Sequence, residues 1–131
     1  MGTRSLTFVY SMETPLVCMY RQFDGYPTGH GQELAAFLNS KTLINGFTTG
    51  QSSESFANGM GCLAAQMVSN FKTGLGGFYL LPTDTNDAGH DYEYHVYDDE
   101  VIVRNYRGSD IFKGTWAQFE DFCYEEESVC R

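Results

Sequence analysis

The sequence lacks most of the features that name a function at sight. No C-x-x-C pair occurs among its four cysteines, Cys18, Cys62, Cys123 and Cys130, so neither a zinc knuckle nor a dithiol redox motif is expected. No apolar run approaches the roughly 20 residues of a membrane span. No charged segment followed by an apolar one opens the chain, so no signal peptide is expected and a soluble, cytoplasmic protein is. Neither G-x-x-x-x-G-K-[ST] nor G-x-G-x-x-G is present. Basic residues are scarce, 8 against 17 acids, which speaks against direct binding to a nucleic-acid backbone.

With 131 residues and 42% apolar content, the chain suits one compact domain spanning 1–131. In a reducing compartment Cys18, Cys62 and Cys123 read as small core side chains, and a Cys123–Cys130 bridge is left open. The charge is divided: residues 1–83 carry four acids and four bases, and residues 84–131 carry thirteen acids and four bases. The entire excess lies in the second part. An acidic face of this kind either keeps a protein in solution or docks on a basic partner.

Periodicity supplies the elements. Leu6–Tyr10 and Leu16–Tyr20 read as a hairpin, and Gly31–Asn39 as a first helix. Ser40–Glu54 reads as a long loop. A second helix is expected from Ser55, with Phe56, Met60, Leu63, Ala64, Met67, Val68 and Phe71 at helical spacing. Gly59 and Gly61 within it would be tolerated for close packing on the sheet. Phe78–Leu81 reads as a strand, and Asp91–Tyr97 with Val101–Tyr106 as a hairpin turned at Asp98-Asp99. Thr115 and Gln118 form a capping-box pattern ahead of a last helix, whose end at 124–131 is expected to fray. The order β-β-α-α-β-β-β-α predicts an α+β fold. Its sheet would be largely antiparallel, of about five strands, with helices mainly on one face.

One stretch concentrates special residues: Tyr20-Arg21-Gln22-Phe23-Asp24-Gly25-Tyr26-Pro27-Thr28-Gly29-His30-Gly31. It joins a strand to a helix. Gly25 would supply a positive φ, and Gly25, Gly29 and Gly31 would free backbone amides at the positive end of a helix, where an anion is favoured. Arg4 and Arg21, brought to one end of the sheet by the hairpin, would add charge, and Phe23, Tyr26, Tyr92 or Tyr94 would stack a flat ring. The expected ligand site is thus Arg4, Arg21, Asp24, Gly25, Tyr26, Gly29, His30 and Gly31. The plain alternative is a tight turn in which Asp24 pairs with Arg4 or Arg21. For an enzyme, His30 with Asp24 is the acid–base pair to expect. His90 and His95 read as turn and strand-surface residues, and no histidine or acid spacing has metal-site quality, so neither a metal nor a cofactor is expected. Arg104 and Arg107 beside Asp110 suit an ion pair or a partner contact.

Met1-Gly2-Thr3-Arg4 and the Tyr20–Gly31 block together resemble a family of small bacteriophage and bacterial proteins. Its members begin Gly-Thr-Arg and carry Tyr-x-Gln-(Trp/Phe)-Asp-Gly-Tyr-Pro-x-Gly-x-Gly before a helix. The resemblance covers about forty residues, implies a phage context, and carries no activity with it. Three functions remain: a binder of a small anionic, nucleotide-like ligand that sequesters a defence signal; an acidic interaction protein that blocks a basic, nucleic-acid-binding host protein; and a small hydrolase or nucleotide-processing enzyme. An edge strand in the 91–106 hairpin would serve a homodimer.

Overall fold

The computed structural model describes residues 2–45 and 55–129. β1 (Ser5–Ser11) and β2 (Thr14–Arg21) form the expected hairpin, followed by a single π-helical turn (Pro27–Gly31) that runs directly into α1 (Gln32–Asn39). β3 (Thr42–Ile44) and β4 (Phe56–Asn58) come next, then α2 (Gly59–Phe71), β5 (Phe78–Leu81), β6 (Tyr92–Val96), β7 (Val101–Asn105), β8 (Asp110–Gly114) and α3 (Trp116–Val129). The fold is α+β with a mostly antiparallel sheet.

Six strands make the main sheet, in the order β5-β2-β1-β6-β7-β8, and its one parallel pair is β1 with β6. The sixth strand is β8. Asp110-Ile111-Phe112-Lys113-Gly114 has only two apolar residues between charged neighbours, so it does not read as a strand until β7 offers it a ladder. The 91–106 hairpin lies inside the sheet, and the edges are β5 and β8; an edge strand in that hairpin is therefore ruled out. β3 and β4 form a separate parallel pair. Phe56–Asn58 is thereby drawn out of the second helix, which starts at Gly59 rather than at Ser55. Cys130 and residues 46–54 of the expected loop lie outside the described residues.

Strand alternation divides the sheet into two faces. Val9, Met19, Tyr94, Val96, Val101 and Val103 point to one face and pack under side chains from all three helices, among them Leu34, Leu38, Leu63, Met67, Phe119 and Cys123. Leu6, Phe8 and Cys18 point to the other, where a smaller apolar cluster takes in Tyr10, Tyr20, Leu81 and Ala88. Ala88 belongs to the segment 82–91, which folds back over this second face. Its end is fixed by Asp91, whose Oδ2 accepts from the Arg4 amide at 3.0 Å. The Thr115 box forms as expected: Thr115 N donates to Gln118 Oε1 at 2.9 Å, and Gln118 N to Thr115 Oγ1 at 3.2 Å.

Close packing does not explain the α2 glycines. A Cβ at Gly61 would meet nothing within 4 Å, nor would one at Gly59, whose φ of 82° instead suits glycine at the strand-to-helix bend. Gly61→Ala is therefore expected to stabilise the protein by about 0.5–1 kcal/mol, through helix propensity alone. Urea denaturation reads the effect as a higher midpoint at unchanged slope.

Candidate functional site

The Tyr20–Gly31 stretch is a clasp between β1, β2 and the first helix. Gly25 N donates to Thr3 O at 2.8 Å, and Tyr94, fully buried on β6, donates its hydroxyl to Gly25 O at 2.7 Å. A Cβ at Gly25 would sit 2.8 Å from the Arg4 carbonyl carbon and 2.9 Å from Ser5 N. These are backbone atoms that no rotamer change can clear, so the glycine is needed for contact. The positive φ expected there belongs to Asp24 instead, at 61°, a conformation that a short polar side chain tolerates. Cβ atoms at Gly29 and Gly31 would press on Asp24 O at 2.5 Å and Cys123 Sγ at 2.9 Å.

The expected free amides are consumed. Gly29 N and Gly31 N donate to Tyr26 O, and His30 N to Asp24 O. The tight chain reversal supplies its own acceptors, and this leaves no nest of amides for an anion at those three residues. The Asp24 carboxylate turns outward and accepts from the Tyr26 hydroxyl at 3.1 Å. Of the ion pairs expected for Asp24, neither with Arg4 nor with Arg21 forms: Arg21 pairs with Glu33.

Beneath the turn lies a polar chain within the apolar core. Arg21, only 9% exposed, gives Nε to Phe23 O at 2.6 Å and a forked pair of bonds to Glu33 at 3.0 and 3.4 Å. Its NH1 also lies 3.2 Å from Nδ1 of the fully buried His30, whose Nε2 is 2.7 Å from Thr7 Oγ1. A guanidinium only donates. Nδ1 is therefore the acceptor, Nε2 carries the hydrogen, and Thr7 receives it. Burial first, and the Arg21 charge second, depress the His30 pKa to about 3. His30 is thus a neutral structural bridge, and the Asp24 carboxylate, bonded to Tyr26, faces away from it. Nothing in this arrangement provides an acid–base pair.

A second cluster lies on the other face of the sheet, with no motif in the sequence to announce it. Glu93 accepts from His90 Nε2 at 2.7 Å and His95 Nε2 at 2.9 Å, and His95 Nδ1 meets Tyr10 Oη at 2.7 Å. His95 stacks on Phe8, with centroids 4.9 Å apart, and Tyr10 stacks on Tyr97 at 4.4 Å. Hydrogen bonds from the two imidazoles hold the Glu93 carboxyl far below the usual range. Burial pushes the Tyr10 phenol up, and the Cys18 thiol to about 11, so neither is a ready nucleophile. The register could have hinted at this: Phe8 pairs with His95 and Leu6 with Glu93. That register depends on the parallel β1–β6 contact, which no local pattern shows. Both histidines are largely buried rather than superficial. Among the described residues no group of three His, Cys, Asp or Glu side chains could hold a metal ion.

What the clasp leaves in solvent is aromatic and acidic. Phe23 is 52% and Tyr26 37% exposed, beside Asp24; Tyr94 lies in the core and Tyr92 is half-buried against it. Arg4 is half-buried and its guanidinium makes one long bond, NH1 to Gly89 O at 3.4 Å. Ser5 pairs with Arg21 across β1 and β2, so Arg4 and Arg21 do share one end of the sheet. Arg104 forms the expected ion pair with Asp110 at 2.8 Å. No family model, curated protein or solved structure matches this chain.

Proposed function

We propose that this protein acts by binding rather than by catalysis, and that its partner is a basic protein surface. One observation carries the reading: the convergent ionisable groups are spent on one another, while unneutralised acids string along one side of the molecule. α3 forms that side. It starts beneath the β6–β7 turn, where Trp116 Nε1 donates to Tyr97 O at 2.9 Å. Midway along, at Cys123, it passes the clasp and the first helix: Gly31 lies against Cys123 Sγ, and Gln32 Nε2 donates to Cys123 O at 3.4 Å. Asp98 and Asp99 stand exposed at the first end, and Asp121 and Glu125 along the helix. Lys113 shares a shallow hollow with Asp121 and Glu125. Aligned acids attract a lysine- and arginine-rich surface, speed the encounter and lose strength as salt rises. In the phage context that the first forty residues suggest, such a partner would be a nucleic-acid-binding defence protein of the host, occluded by mimicry of the charge of its nucleic acid.

The clasp favours a second reading. Phe23 and Tyr26 are presented on a rigid turn with Arg4 at the same end of the sheet, and a flat anionic ligand of nucleotide type would stack there and meet that guanidinium. Asp24 opposes it, and Arg21 is already engaged, so this reading stands second.

Two probes separate the two, a fluorescent arginine-rich peptide and ATP, titrated into the purified protein at low and moderate salt. The first reading predicts peptide binding that weakens with salt and falls about tenfold or more in the Asp98→Asn, Asp99→Asn, Glu125→Gln triple variant. Peptide binding unchanged in that variant would sink it. ATP binding that Arg4→Ala abolishes would put the second reading first.

A further inference from the structure

β5 ends the sheet on the side away from β8, and its own residues carry none of the usual edge protection, although Lys72 Nζ meets the outward Phe78 O at 2.8 Å. Phe78-Tyr79-Leu80-Leu81 has no charge, no internal proline and no bulge in its register with β2, whereas edge strands are commonly blunted by such features. Tyr79 is 45% and Leu80 57% exposed, and Leu75, just before the strand, is 99% exposed. Beside the edge runs an open groove of about 310 Å³, lined by Met19, Val68, Leu75, Phe78 and Leu80, with Lys72 its one charged group.

We infer that β5 is a self-association edge, where two copies pair β5 to β5 antiparallel about a two-fold axis and continue one sheet through both. Three observations select a second copy as the occupant. The first is hydrogen-bond parity. Gln22 N bonds Gly77 O at 2.8 Å, so the odd-numbered residues of β5 turn their backbone groups toward β2 and Phe78 and Leu80 turn theirs outward. A two-fold axis at Tyr79 sets Phe78 opposite Leu80 of the second copy, so that outward N–H and C=O groups meet. An axis at Leu80 would set Phe78 against Pro82, which has no N–H to give. The second is shape: with the axis at Tyr79, Leu80 of each copy lies over Phe78 of the other on the groove face, which Leu75 also lines. The third is charge. Lys72 gives Nζ to Phe78 O at 2.8 Å and Leu75 O at 3.0 Å, which fixes it at the start of β5, and Asp84 follows the strand's end. Antiparallel pairing brings the start of β5 in one copy to its end in the other, where Lys72 and Asp84 have opposite signs. Phe78 O keeps its Lys72 bond, since a carbonyl accepts twice. The thirteen acids of residues 84–131 include those on α3, which packs at the opposite end of the sheet, so dimerisation does not stack the two acidic sides.

The inference is independent of the partner proposed above. Light scattering over a concentration series should give a dimer for the wild-type chain. Leu75→Asp, a change at a side chain with almost no contacts to lose, and Leu80→Lys should each raise the dissociation constant by about 30-fold or more, the scale of a hot-spot residue, at unchanged circular dichroism. Tyr79→Cys should cross-link to a covalent dimer under mild oxidation, because facing residues of a non-hydrogen-bonded antiparallel pair have Cα atoms about 4.5 Å apart, within disulfide reach. A wild-type monomer at every concentration, a dimer indifferent to both charged variants, or a dimer that Tyr79→Cys fails to cross-link would each overturn the proposal.

Discussion

His30→Gln is expected to lower stability at pH 7 by about 1–3 kcal/mol and to flatten its decline in acid. The first effect follows from the bonds. The glutamine amide can still donate to Thr7 Oγ1, as Nε2–H does, but the acceptor for Arg21 NH1 is lost and the imidazole's packing against Phe71 and Tyr94 goes with it. The second follows from linkage. In the unfolded chain a histidine takes up its proton near pH 6.5, whereas buried His30 holds out to about pH 3. Between those values the unfolded state binds more protons than the folded one, so stability falls as pH falls. The contribution is complete above pH 6.5. Below it, the loss approaches about 1.4 kcal/mol per pH unit at its steepest, down to the folded pKa. Removing the imidazole removes that slope.

The difference between wild type and variant, followed by urea denaturation from pH 7.5 to 4, should therefore shrink with acidity. Glu93 does not blur the comparison. Its depressed carboxyl costs stability only as pH drops through the unfolded range near 4.3 and below, and it is present in both proteins. A gap that stays constant down to pH 4 would mean that His30 is protonated in the fold, and that the Thr7–His30–Arg21 bonding has been assigned the wrong way round.

The sequence revealed where the fold is organised more readily than how. Period-two and period-3.6 patterns locate β1, β2, β5, β6, β7 and the three helices because each has enough apolar positions to show its own repeat. β3, β4 and β8 are three to five residues long, and their identity comes from the strand beside them. The parallel β1–β6 pair joins residues more than eighty positions apart, so neither it nor the His90–Glu93–His95–Tyr10 cluster that it assembles could be seen locally. The clasp is the instructive case. Glycines, an arginine and a histidine in twelve residues do mark a place of unusual contact, and the structure shows unusual contact there. Whether a glycine gives room to a ligand or to the chain itself depends on what lies across the gap. At Gly25 and Gly31 that is Arg4, Ser5 and Cys123, residues far off in sequence. Composition registers such density but not its direction, inward or outward.

Arg21 and Arg4 bring that distinction to a measurable contrast. Both stand at the same end of the sheet, and from the sequence both look like ligand clamps. Arg21→Ala is expected to cost about 2–4 kcal/mol, because it strips donors from Phe23 O and His30 Nδ1 at once and empties a buried site beside Phe78, over whose ring the guanidinium lies at 5.0 Å. The charge left behind moderates the loss: Glu33, its side chain 54% exposed, is rehydrated rather than stranded. Arg4→Ala removes one long bond at a half-buried site and is expected to cost less than about 1 kcal/mol, leaving the clasp intact. Against a total stability of about 5–15 kcal/mol for a domain of this kind, the first change takes a large share and the second a small one. Thermal denaturation of the two variants side by side reads the contrast directly. A stable Arg21→Ala protein would mean that the guanidinium is not what holds the turn to the helix, and would return Arg21 to the surface as a group free to meet a ligand.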